Sequence, residues 1–141
     1  MEPLELATTL LDAASTLTRR LDGSLSIIKG ITFSEYQMLS ALRDHPAATA
    51  TRVDIATSVG LTPSGITRAL KPMEKLGFVE TAKDARDARK SLAILTAAGH
   101  ELVQDADGVV QDTIDDLEPL TALTNDERRR FARVMKELSN G

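Results

Sequence analysis

Apolar residues step by three and four along the start of the chain: Leu4, Ala7, Leu10, Leu11, Ala14, Leu17, Leu21, Leu25 and Ile28. That spacing predicts an amphipathic helix over residues 4–28. Asp22, Gly23 and Ser24 are weak helix formers and predict a bend or break within it. Gly30 is a suitable stop. Thr32, with Glu35 three residues on, is a capping box that opens a second helix. Tyr36, Leu39 and Leu42 form its inner stripe, with Tyr36 read as a core residue. His45-Pro46 marks the exit, and residues 47–50 read as a short strand that closes a sheet.

Residues 51–71 are the stretch around which the rest is organised. Thr51 caps a short helix, with Asp54 helping to hold the free N–H groups and Val53, Ile55, Ala56 and Val59 as its buried side. Gly60 ends that helix, since glycine enters a left-handed turn cheaply. Leu61 links it to a second helix, which starts at Thr62 as N-cap with Pro63 at the first helical position. Ile66, Leu70 and Met73 face inward, leaving Ser64, Gly65, Thr67, Arg68 and Lys71 on the other faces. Pro72 removes one backbone bond and predicts a kink, or an end to the regular helix before it.

Ala56, Gly60 and Ile66 allow the two helices to cross closely, the steric recipe of a helix-turn-helix. The second helix of such a unit lies in the DNA major groove. Two ordinary packed helices are the competing reading, and the next stretch decides against it. Residues 78–82 and 91–95 read as paired strands, the second with Leu92 and Ile94 on one face. Residues 83–90 make a charged tip. A helix-turn-helix followed by such a hairpin is a winged helix. The fold class is therefore mainly α with a small β-wing, a single domain spanning residues 1–141.

After the wing, Thr96 caps a helix carrying Leu102, Val103, Ala106, Val110, Ile114 and Leu117, with Pro119 as its end. Gly99 and Gly108 weaken this helix or permit close approach of another. Thr124 with Glu127 forms a further capping box, and Phe131, Val134, Met135 and Leu138 stripe the last helix.

The segment LTPSGITRALKPMEKLGFV at residues 61–79 resembles the recognition helix of the multiple antibiotic resistance regulator (MarR) family. Asp87-Ala88-Arg89, the alternating strand after it and LTAAG at residues 95–99 resemble that family's wing and its exit. ITFSEYQMLSAL at residues 31–42 is similar to its second helix. Ala88 stands where many relatives carry a second arginine, so the tip has less charge. The resemblance implies a winged helix-turn-helix core at residues 32–96, flanked by dimerisation helices at 1–30 and 97–141. It implies a dimeric, sequence-specific DNA-binding transcription regulator, a repressor released by a small-molecule ligand of aromatic or phenolic type. Paired recognition helices would read palindromic half-sites about 34–36 Å apart.

Candidate contacts follow from position. Arg68 can reach a guanine edge or a phosphate, while Thr62, Ser64 and Thr67 offer hydroxyls and Gly65 close backbone approach. Lys71 suits a phosphate, as does Arg52 at the start of the preceding helix. At the wing, Arg89 is placed for the minor groove with Asp87 holding it by a salt bridge, and Arg86 and Lys90 for phosphates.

Charge at first sight opposes this reading, because the net charge is −4 and the pI about 5.2. Its distribution matters more. Residues 62–90 hold seven Lys or Arg against four acids, whereas residues 101–127 hold nine acids and no Lys or Arg. The molecule is polarised, basic at the reading head and acidic behind it. An acidic rear repels DNA from the wrong face, or simply keeps a helix soluble.

Other chemistry is poorly served. There is no cysteine, hence no disulfide, thiol switch or cysteine metal site. The two histidines, His45 and His100, sit at a helix exit and a helix start with no ligand spacing behind them. Neither a paired catalytic carboxylate motif nor a phosphate-binding glycine loop is present, so neither catalysis nor a cofactor or metal is expected. With aromatics at 3%, aliphatic residues must fill the core. The start is acidic and no apolar run has membrane length, which reads as a cytoplasmic protein without membrane contact. The alternative function is a winged helix used for protein–protein contact without sequence-specific DNA binding.

Overall fold

Five threonines set the helix starts. In a computed structural model that describes residues 1–141, the hydroxyls of Thr32, Thr51, Thr62, Thr96 and Thr124 accept the backbone N–H three residues ahead, at 3.0–3.2 Å. Each satisfies a donor that the helix leaves open, a contribution of about 1 kcal/mol. Thr32 and Thr124 complete full capping boxes with Glu35 and Glu127.

The order is α1 (Pro3–Lys29), α2 (Phe33–Asp44), a 3₁₀ turn (Pro46–Ala48), β1 (Thr49–Thr51), α3 (Arg52–Val59), α4 (Pro63–Lys75), β2 (Val79–Lys83), β3 (Ser91–Leu95), α5 (Ala97–Asp115), α6 (Glu118–Thr121) and α7 (Asn125–Asn140). The antiparallel sheet has the order β1-β3-β2, with Val79 opposite Leu95 and Thr81 opposite Ala93. No helix is long and apolar enough to cross a membrane.

Several local expectations are corrected. α1 runs unbroken through Asp22, Gly23 and Ser24. Leu21 and Leu25 on either side are buried, and packing of this stretch outweighs a glycine penalty of about 1 kcal/mol. Asp22 also leaves the helix surface to serve α2, its carboxylate accepting the Phe33 N–H at 2.6 Å. α4 continues through Pro72 to Lys75, because Pro72 lies on the exposed side, where water can solvate the carbonyl it fails to pair. The strand expected at 47–50 begins at Thr49, after a turn in which Ala47 and Ala48 have φ of 55° and 47°. α5 ends at Asp115 rather than at Pro119, which belongs to the first turn of α6.

The main core lies under the helix-turn-helix. Ile55 and Ala56 of α3, Ile66, Leu70 and Met73 of α4, and Leu39 and Leu42 of α2 meet there with Val79, Ala93 and Leu95 of the sheet. Leu92 and Ile94 share one face of β3, as the alternation predicts, and the face turned inward carries Ala93 and Leu95, because β3 pairs in the register that sets Leu95 beside buried Val79. Val53 is exposed, contrary to its place in the expected buried side of α3. A smaller core of Leu25, Ile31, Ala106 and Val109 joins α1 to α5.

The terminal helices keep their apolar stripes uncovered. Leu4, Leu11, Phe131, Val134, Met135 and Leu138 are exposed, and α7 packs substantially against no other element of its own chain. Met135 is thus on the surface, while Met38 and Met73 are in the core as expected.

Candidate nucleic-acid interface

Gly60 takes the left-handed conformation, φ 71°, that ends α3, and the Leu61 N–H turns back to the Ala56 carbonyl at 3.0 Å. The chain then re-enters a helix at once through Thr62 and Pro63. Burial of Ile66, Leu70 and Met73 at helical spacing pins one side of α4 and turns the opposite side to solvent. Ser64, Arg68 and Lys71 are exposed on that side, with Gly65 and Thr67 partly covered. Neither Arg68 nor Lys71 is engaged in an ion pair of the chain.

The hydroxyls are partly committed. Thr62 Oγ1 caps α4 and stands 3.3 Å from Ser64 Oγ. Thr67 donates its hydroxyl to the Pro63 carbonyl at 3.1 Å, leaving it only an acceptor for a ligand. Gly65 fits under the cap, since a Cβ there would lie 3.2 Å from Thr62 Oγ1.

The wing tip is held by its own acids. Asp84 accepts the Arg86 N–H at 2.8 Å and donates its own N–H to the Lys90 carbonyl at 3.1 Å. Asp87 accepts the Arg89 N–H at 3.0 Å and, with the same oxygen, the Arg89 Nε at 3.1 Å. This Arg89 side-chain bond, with the backbone bond second, holds the Asp87 carboxyl below the usual carboxylate range. One residue therefore both turns the backbone and aims the guanidinium, whose side chain is 91% exposed. Arg86 and Lys90 are exposed beside it. A cleft of about 360 Å³ separates the start of α3 from the wing base, bordered by Thr51, Arg52, Asp54, Arg89, Lys90 and Ser91.

Arg52, expected to suit a phosphate, has partners within the chain. Its side chain is 17% exposed, and Nη2 lies 3.3 Å from Glu74 Oε1 and 3.4 Å from Thr81 Oγ1. The partners lie 22 and 29 residues ahead, so no local pattern announced them.

A second polar cluster was also missed. Tyr36 donates its hydroxyl to Asp107 Oδ1 at 2.7 Å, and Arg43 Nη1 bonds Asp107 Oδ2 at 2.6 Å. The expected core residue is only partly buried, its ring stacked on Phe33 with centroids 6.0 Å apart. Burial first, and the Asp107 bond second, push the phenol up to about 12. Arg43 holds Asp107 below the usual carboxylate range. The triad joins α2, at the reading head, to α5. Of the three, Tyr36 lines a cleft of about 570 Å³, together with Leu17, Leu21, Phe33, Val110 and Ile114, among others.

A helix-turn-helix whose second helix is followed by a β-hairpin, closed by a third short strand, is a winged helix. Residues 29–90, which hold α2, the helix-turn-helix and the wing tip, match the model of the MarR family. Among solved structures, it is similar to a MarR family transcriptional regulator from Streptomyces coelicolor in complex with DNA, at 23% identity and TM-score 0.90 over 98% of this chain and 86% of that one. It is similar to a mutant MarR from Escherichia coli complexed with operator DNA, at 25% identity and TM-score 0.83 over 95% and 93%. Bordetella bronchiseptica BpsR, whose DNA binding is regulated by 6-hydroxynicotinic acid, gives 19% identity and TM-score 0.77 over 96% and 98%. Comparison with curated proteins finds no match.

Proposed function

We propose that this protein is a dimeric transcription regulator that reads duplex DNA by sequence. The observation that carries this reading is the exposed basic face. Arg68 and Lys71 project from the exposed side of α4, and Arg86, Arg89 and Lys90 crown the wing that follows it. α4 enters the major groove, where Arg68 meets a guanine edge, Ser64 bonds a base or a phosphate, Thr67 accepts from a base amino group, and Thr62 and Gly65 allow the helix N-terminus to approach the backbone. Lys71, Arg86 and Lys90 meet phosphates, and Arg89, aimed by Asp87, enters the minor groove. The DNA complexes of the Streptomyces and Escherichia relatives support the same docking mode.

Residues 1–30 and 97–141 supply the dimer. The uncovered stripe of Leu4, Leu11, Phe131, Val134 and Leu138 suits a second copy, and two recognition helices then address a palindromic operator. The regulator acts as a repressor released by a small aromatic or phenolic ligand. The cleft beside Phe33 and Tyr36 offers that ligand an aromatic wall and a phenol, and the regulation of BpsR by an aromatic acid supports the assignment.

Selection of bound fragments from random DNA, followed by shift titrations against scrambled competitor at several salt concentrations, tests the proposal. A preferred palindromic site, bound with a steep salt dependence, is expected. Equal affinity for selected and scrambled DNA would leave the winged helix as a protein-contact module.

A further inference from the structure

Arg52, Glu74 and Thr81 come from three elements, α3, α4 and β2, and meet at the base of the wing. Arg52 Nη2 lies 3.3 Å from Glu74 Oε1, and Thr81 donates its hydroxyl to that same oxygen. Thr81 lies on the same side of β2 as buried Val79, one alternation further out, where the strand is already exposed. Beyond it, the hairpin leaves the core, and residues 84–90 are held by bonds within the tip alone. Thr81 is therefore the last point at which the wing is tied to the recognition helix.

The guanidinium is deeply engaged there. The Arg52 side chain is largely covered, with Nη1 shielded from solvent, and to swing outward to a phosphate it must break the pairing of Nη2 with Glu74. The single nitrogen Nη2 faces the Glu74 carboxylate and the Thr81 hydroxyl together.

We infer that Arg52 is a positioning residue, not a DNA contact: the Arg52–Glu74–Thr81 bridge sets the angle between recognition helix and wing, so that Arg68 and Arg89 engage one duplex together. This inference rests on the DNA-binding reading, but it differs from a contact role in the sign of one substitution. Glu74→Gln deletes a negative charge from the reading head and weakens the hold on Arg52, replacing an ion pair by a neutral acceptor. If Arg52 contacted phosphate, DNA would bind this variant as tightly as the wild type or more so. If the bridge positions the wing, DNA binds it more weakly.

The experiment uses the full-length chain, with DNA titrations on the selected site at several salt concentrations and amide hydrogen exchange on the free protein. Glu74→Gln and Arg52→Ala are each expected to bind about tenfold more weakly, since a charged hydrogen bond is lost. The slope of log affinity against log salt should stay at the wild-type value. Thr81→Ser should retain wild-type affinity and Thr81→Val should not, because only serine keeps the hydroxyl. In free Glu74→Gln, exchange should rise across residues 79–95 while α5 stays protected. Undiminished affinity of Glu74→Gln, with a slope for Arg52→Ala lower by about one per protomer, would overturn the bridge and restore the phosphate contact. A wild-type protein that binds no DNA would instead overturn the proposed function. In that event the exchange measurement still judges the bridge, which fails if Glu74→Gln leaves residues 79–95 unchanged.

Discussion

Gly99, in the first turn of α5, lies directly against the backbone of Phe78: a Cβ there would stand 2.2 Å from the Phe78 carbonyl oxygen. That oxygen cannot yield easily, because it also accepts the Thr96 N–H at 3.1 Å. Leu95 Cδ1 closes the other side, 2.6 Å from the same Cβ position. α5 is thereby pressed onto the strand ends, which joins the rear of the molecule to the wing.

Gly99→Ala is therefore expected to destabilise the fold by about 1–3 kcal/mol through overpacking. Gly23→Ala provides the contrast. Nothing lies within 4 Å of a Cβ at Gly23, and alanine gains up to about 1 kcal/mol of helix propensity inside α1. Denaturant midpoints of the two variants should move in opposite directions. A neutral Gly99→Ala would show that the approach of α5 to Phe78 is looser than these distances.

Asp107 makes stability depend on acid. Arg43 depresses its folded-state carboxyl below the unfolded value, so the contribution of the triad is fully present above the ordinary carboxylate range. It is lost as pH falls through that range toward the lowered value. The thermal midpoint of the wild type should drop between neutral pH and pH about 3, and Asp107→Asn should flatten part of that drop. Identical pH profiles for the two proteins would remove Arg43–Asp107 as a contributor.

Assembly follows from the uncovered stripes. The full chain should sediment as a dimer at micromolar concentration, and Phe131→Glu with Leu138→Glu should shift it toward monomer by burying charge at the interface. A fragment of residues 32–96, without the terminal helices, should be monomeric or aggregated. A monomeric full chain would sink the dimer.

Reading and anchoring should separate between two arginines. Arg68→Ala should cost about 1–3 kcal/mol on the preferred site and flatten the preference at particular base pairs. Arg89→Ala should weaken good and poor sites evenly and lower the salt slope by about one per protomer, since the minor groove shows a degenerate pattern. Titrations on selected and scrambled DNA measure both. Lost sequence choice on Arg89→Ala alone would reverse the two roles.

The reading head was largely legible because its determinants are local. Thr62-Pro63, Gly60 and the spacing of Ile66, Leu70 and Met73 specify caps, turn and buried face within a few residues of one another. The wing was found within a residue at each strand, and the Asp87–Arg89 pair spans only two positions. What the pattern misjudged was strength or side: Gly23 and Pro72 looked like breaks, and Val53 like part of the buried side of α3. A propensity or an alternation states a preference, and packing against neighbours overrides it.

The sequence by itself determined the order of helices and strands, their caps, and the polarity of charge between head and rear. These depend on residues close along the chain and on the fixed periods of helix and strand. Only the tertiary structure decided that Arg52 faces Glu74 and Thr81, that Tyr36 and Arg43 share Asp107, and that Gly99 must remain without a side chain. Each of these joins elements separated by loops. Their meeting is set by how whole faces pack, which no local spacing encodes.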